Sequence, residues 1–240
     1  MFAAEQYRSL RRRAEEAWIN SRLMTKEDVY KAVNLVKKEL ALSDDPEEFC
    51  TALAEMGELR LEIHKFNSNR LGGFIVKNEE GSSAIVINGL LSREARAFCL
   101  AHELMHLIFH PVGGYDKTPG EDNGQSFTEY FANEGAAEWI LPWRKFGVHV
   151  AEAWDFLKIP SDIAEFKIAC AVRFSVTPTA VFYRLETLKY EIWQLRQNIE
   201  PDKIKVRSQK WMTQQGILTE SLNERESLMK KRFFSKFQPE

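Results

Sequence analysis

The residues of this chain best suited to chemistry are His102, Glu103 and His106, which lie together in His102-Glu103-Leu104-Met105-His106. Helix positions four apart sit one above the other, so both imidazoles can reach a single cation. Glu103, in the same turn, then stands beside that cation as a general base. Together they would activate water for attack on a polarised carbonyl. Two imidazoles and a carboxylate suit zinc first, with manganese as the alternative divalent ion.

A catalytic site of this kind keeps one metal position open, so a third protein ligand must come from elsewhere in the chain. Glu129 is the candidate. Asn133, one helical turn later on the same face, would accept the outward N–H of a liganding histidine. On the residues alone a second reading stands beside this one: Ser126 and Glu129 also spell a capping box, in which the glutamate serves the start of its own helix. The histidine pair favours ligation. Glu134 and Glu138 are fallback ligands, expected instead at exposed helix positions.

Elements that could position these groups are legible around them. Ser83-Ala-Ile-Val-Ile87 is a short β-branched apolar run that reads as a buried strand, followed by the turn-like Asn88-Gly89. Ser92 fits an N-cap, and from Arg93 to Phe109 there is neither Gly nor Pro. Ala95, Phe98, Leu100, Ala101, Leu104, Met105, Leu107 and Ile108 make that helix largely buried. A buried polar histidine is costly unless satisfied, and a metal is one way to satisfy it. A second helical segment runs from Ser126 to Pro142 and carries Glu129 and Asn133.

Taken together, Arg96-Ala-Phe-Cys-Leu-Ala-His-Glu-Leu-Met-His-Leu-Ile-Phe-His110 and Glu129-x-x-Ala132-Asn133-x-x-Ala136-Ala137-Glu138-x-Ile-Leu141-Pro142 resemble the ImmA/IrrE family of metallopeptidases over roughly positions 45 to 190. The resemblance implies that His102, His106 and Glu129 are metal ligands, Glu103 the general base and Asn133 a supporting partner. It further implies a protein substrate, typically a helix-turn-helix repressor of a mobile element or stress response, whose cleavage releases transcription. Many relatives carry Gly where Met105 stands, Phe where Gly135 stands and often Glu where Phe131 stands. Gly135 is the awkward departure, since a mid-helix glycine costs about 1 kcal/mol against alanine and removes a packing group. It is expected to loosen the second helix.

Other groups within range are less specific. His110, Tyr115 and Tyr130 are candidate oxyanion donors, though His110 before Pro111 reads as a helix-end residue and the tyrosines as packing groups. His64 and His149 have no partner at ligand spacing. Cys99 reads as a small core residue.

Composition bounds the rest. A 240-residue chain with 44% hydrophobic and 28% charged residues buries a sizeable core. A net charge of −2 gives no general attraction to nucleic acid or anionic membrane. Three widely spaced cysteines, Cys50, Cys99 and Cys170, fit reduced thiols in a cytoplasm better than a disulfide framework. The start of the chain is too polar for a secretion signal, and no apolar run is long enough to span a membrane.

The expected fold is α+β: a zincin-like core with a small β-sheet packed on a metal-binding helix, and helical N- and C-terminal extensions. The expected divisions are a helical extension over 1–45, a metallopeptidase core over 46–145, a helical subdomain over 146–190 and a charged helical tail over 191–240. Residues 1 to 42 read as two helices, the second from Lys26 to Leu40, and Ser43-Asp-Asp-Pro46 as a break and a new helix start. Positions 59–63, 73–76 and 84–87 read as a small meander, and 111–125, with its glycines, as a flexible loop beside the cleft. Ile163 to Leu188 reads as helix, tight turn, helix. Its second helix carries only Arg184 and Lys189 among apolar residues, so packing rather than DNA contact is expected. The basic, aromatic run Lys230–Lys236 reads as a solvated face. The expected activity is that of a metal-dependent endopeptidase; the alternative is a non-catalytic binding module that keeps the metallopeptidase fold.

Overall fold

The computed structural model describes residues 2–19, 25–68, 71–77, 83–109 and 127–235. They form two compact units, 1–140 and 141–240. The sequence expectations for 69–70, 78–82, 110–126 and the end of the basic run lie outside the described residues.

The first unit holds α1 (Phe2–Ile19), α2 (Lys26–Leu40), α3 (Pro46–Glu55), β1 (Arg60–His64), β2 (Gly73–Lys77), β3 (Ser83–Asn88), α4 (Arg93–Phe109) and α5 (Phe127–Ile140). Local chemistry sets the helix starts. Thr25 and Asp28 form a capping box at α2. Asp45 accepts from the amides of Glu47 and Glu48, with Pro46 in the first turn of α3. Ser92 Oγ accepts from the Ala95 amide at the start of α4, 3.3 Å away.

β3 is buried along its whole length and takes the centre of the sheet, in the order β1-β3-β2. β2 pairs with it antiparallel and β1 parallel. The expected meander is therefore corrected to a mixed sheet. A meander would leave the most apolar strand at an edge; placing it between the other two covers both of its sides. Ile85 and Ile87 are fully buried on the face that α4 covers.

Asn88 ends β3 as a buried junction rather than a simple turn residue. Its side-chain amide donates to the carbonyls of Ser68 and Leu71 at 2.8 and 3.1 Å, and its Oδ1 accepts from the amides of Phe66 and Leu90. One fully buried side chain thus satisfies four backbone groups just before α4.

α4 packs on β2 and β3 and, most extensively, on α5, while α2 covers the other side of α5. The pairs His102–Asn133, Met105–Gly135, His106–Glu129 and Phe109–Phe131 show that α4 and α5 run antiparallel. Tyr30–Glu134 and Asn34–Glu138 show α2 and α5 parallel.

The second unit comprises α6 (Trp143–Ala153), α7 (Pro160–Arg173), α8 (Pro178–Thr187), α9 (Lys189–Arg196), α10 (Gln209–Gln214) and α11 (Leu222–Ser235). The turn between α7 and α8 passes through Ser175 at φ 51°. Arg184 is buried, and its Nε donates to the Leu141 carbonyl at 3.0 Å, so its charge is spent inside the unit. Lys230, Lys231 and Arg232 are exposed on α11. Among the described residues no helix is long and apolar enough to cross a membrane.

Candidate metal centre

His102 and His106 emerge from α4 one turn apart, on the side that faces α5. Their neighbours Leu104, Met105, Leu107 and Ile108 are fully buried, which fixes the rotation of the helix. His102 Nε2 and His106 Nε2 lie 3.0 Å apart. The Glu129 carboxylate, in the first turn of α5, places one oxygen 3.5 Å from His102 Nε2 and the other 3.6 Å from His106 Nε2. Ligands held about 2.0–2.1 Å from a tetrahedral zinc stand about 3.3 Å from one another. The three side chains therefore already have the spacing of three corners of such a site. They form a group of three side chains that could hold a metal ion.

Asn133 determines which nitrogens face inward. His102 Nδ1 lies 3.1 Å from Asn133 Oδ1. An amide oxygen only accepts, so Nδ1 carries a proton towards Asn133, which in the neutral ring leaves the Nε2 lone pair to face His106 and Glu129. Exposure sets the open side: the His106 side chain is 1% exposed, whereas His102 and Glu129 are 16% and 24% exposed. The donor set is walled behind His106 and accessible beside Glu129.

Glu103 is buried on α4, about 100° around the helix from His102. Cys99, one turn earlier, is half-buried, and burial first and the Glu103 carboxylate second push its thiol up to about 11. That thiol packs against Gly72, just before β2, where an added Cβ would clash with Sγ.

The structure does not bring the other titratable candidates to this centre. His64 pairs with Glu62 at 2.8 Å on β1. His149 lies in the second unit, tilted against Phe166 and edge-on to Phe174, with burial holding it below the ordinary histidine value. Tyr130 is half-buried on α5, and His110, Tyr115 and Ser126 lie outside the described residues.

The sequence profile of a peptidase family described as the IrrE N-terminal-like domain matches residues 58–186, more than half of the chain. The chain belongs to this family. ImmA/IrrE membership makes it a metallopeptidase-family protein, and the family implies a divalent metal. No curated protein matches the sequence. Among solved structures, a Mycobacterium tuberculosis transcriptional regulator aligns at 18% identity and a TM-score of 0.44, covering 79% of this chain and 53% of that one. The chain thus spans about half the length of that protein.

Two expectations about α5 are corrected by its packing. Glu134 and Glu138 are buried, 6% and 2% exposed, because α2 covers the face that would otherwise meet solvent. Tyr30 Oη donates to Glu134 Oε2 at 2.8 Å, and Asn34 Nδ2 lies 3.5 Å from Glu138 Oε1. The sequence does hold a signal for this: Tyr30, Asn34 and Lys37 form a polar ridge along α2 between the buried Val29, Val33, Val36 and Leu40.

Gly135, read from sequence as a loosening residue, is instead a close-contact position. A Cβ there would lie 2.6 Å from Met105 Sδ, 2.8 Å from Met105 Cγ and 3.6 Å from Val33 Cγ2. The two departures from the common ImmA/IrrE pattern thus compensate: the larger residue on α4 fills the space given up on α5. Phe131, the third departure, is fully buried and meets the Phe109 ring at a tilt, with centroids 5.1 Å apart.

Proposed function

We propose that this chain is a metal-dependent endopeptidase in which His102, His106 and Glu129 hold the ion. The observation that carries the reading is the donor triangle at tetrahedral spacing, with a buried glutamate in the same turn as the histidines. A divalent ion there, zinc first and manganese second, would polarise the scissile carbonyl and acidify the attacking water. Glu103 takes the proton from that water and returns it to the leaving amine. Asn133 keeps the His102 ring in the tautomer and orientation that ligation needs.

The sheet supports the binding of an extended protein segment. The outer strand β1 carries Arg60, Glu62 and His64, paired with one another, a charged arrangement that discourages further strand pairing. β2, the strand on which α4 packs, carries Gly73-Phe-Ile-Val76, with Phe74 and Val76 partly exposed. A substrate strand added to this edge would gain main-chain hydrogen bonds independent of its sequence. The family resemblance favours a DNA-binding repressor protein as that substrate and the cytoplasm as the site of action.

The test begins with elemental mass spectrometry of the wild type, Glu129→Ala and His106→Ala after dialysis against metal-free buffer. Near one divalent ion per wild-type chain, lost in both variants, is expected. A folded wild type that stays metal-free after added zinc or manganese would sink the peptidase reading and favour a binding module. Cleavage of candidate repressors by the wild type, but not by metal-loaded Glu103→Gln, is the second expected result.

A further inference from the structure

α5 contributes both Glu129 and Asn133, so the metal centre is assembled only if α5 holds a fixed register against α4. Metal–ligand distances tolerate about 0.2 Å, whereas sliding a helix by one residue moves every group by about 1.5 Å. On the α4 side, apart from the His102–Asn133 pair of the site itself, α5 sets Phe131 against Phe109 and Gly135 against Met105, apolar contacts that carry no directional bond, one of them to a side chain with three rotatable bonds.

The opposite side is built differently. Tyr30 Oη donates to Glu134 Oε2, Lys37 Nζ donates to the Trp139 carbonyl at 3.2 Å, and Trp139 Nε1 donates to the Asp44 carbonyl at 3.0 Å. Phe49 meets Trp139 edge-on at 4.8 Å. These contacts are directional and mostly buried, and all their partners precede position 58, where the family match begins.

From this we infer that Tyr30 and Glu134 are positioning residues: their hydrogen bond fixes α5 so that Glu129 and Asn133 meet the histidines of α4. Helix α2 is then a working part of the metal centre, not an appendage to it. Glu134 follows Asn133 directly, so the bond to Tyr30 acts one residue from the group that orients His102. The inference rests on the reading that His102, His106 and Glu129 bind a metal.

Co2+ affinity, measured by competition with a chelator, and the visible spectrum of the Co2+-loaded protein test it, with urea unfolding run alongside. Tyr30→Phe keeps the ring and its packing, and Glu134→Leu removes the acceptor. Each is expected to weaken Co2+ binding by about tenfold, the lower end of outer-shell effects, and to shift the visible bands. Glu134→Gln, which still accepts from Tyr30, is expected to keep wild-type affinity and spectrum. Val36→Ala, which removes buried packing from the same helix, is expected to lower stability without changing either.

Wild-type binding and spectrum in Tyr30→Phe, or loss in Val36→Ala equal to that in Tyr30→Phe, would overturn the inference while leaving the metal reading intact. A wild type that takes up no Co2+ would overturn both. Tyr30→Phe decides the matter if Glu134→Leu does not fold.

Discussion

The two polar ridges of α5 differ in what meets them. Glu129 and Asn133 face α4, where the carboxylate converges on two imidazole nitrogens, a set of groups that could hold a cation. Glu134 and the end of the helix face α2, where the Tyr30 hydroxyl and the Lys37 ammonium meet acceptors on α5. The same residue type, glutamate, is thus a ligand candidate on one side and a satisfied structural acid on the other. The neighbouring helix decides which, since a buried carboxylate takes its role from the donors or lone pairs around it.

The largest effect expected from breaking this contrast is catalytic. Glu103→Gln should retain the metal and the fold yet lose about 10²- to 10⁴-fold in cleavage rate, the usual range for a general base. Single-turnover cleavage beside elemental analysis checks this; undiminished cleavage would remove Glu103 from the mechanism.

The next effect lies in the glycine contact between the ridges. Alanine at Gly135 gains about 1 kcal/mol of helix propensity, but its Cβ would fall 2.6 Å from Met105 Sδ and 2.8 Å from Cγ. Overpacking typically costs about 1–3 kcal/mol, so a net loss is expected on urea unfolding. In a Met105→Ala background the same substitution should become neutral or stabilising, and equal losses in both backgrounds would disprove the contact.

Lys37→Met should remove a charged donor from the Trp139 carbonyl and cost about 1–2 kcal/mol, with metal content unchanged because the Tyr30–Glu134 bond still holds α5 next to Asn133. Loss of metal in that variant would show that the far end of α5 sets the register as well.

The smallest effect concerns pH. The folded Cys99 thiol sits at about 11, above its ordinary 9.0, so the unfolded chain gives up its proton first. Stability from this group is complete below pH 9 and falls as pH rises towards 11. Thermal melts from pH 8 to 10.5 should show a shallower decline for Cys99→Ala than for the wild type; identical slopes would mean that the buried thiol contributes nothing.

Much of this protein is determined by local signals in its sequence. The span of α2, the capped start of α3 after Ser43-Asp-Asp-Pro46 and the uninterrupted α4 follow from caps, proline placement and apolar periodicity, which act within a few residues. The grouping of His102, Glu103 and His106 follows from helical spacing alone. What only the tertiary structure decided depends on contacts between distant segments. β1 pairs parallel to β3 across an intervening strand, and a strand's own pattern does not name its partner. Glu129 sits beside both histidines of a distant helix, which no signal at its own helix start could show. Glu134 and Glu138 are buried because α2, about a hundred residues earlier, covers them. Met105 and Gly135 each looked like separate departures until one side chain filled the other's space. Periodicity shows which face of a helix is apolar, but what covers that face, and whether a buried acid meets a donor or a metal, is set by long-range packing.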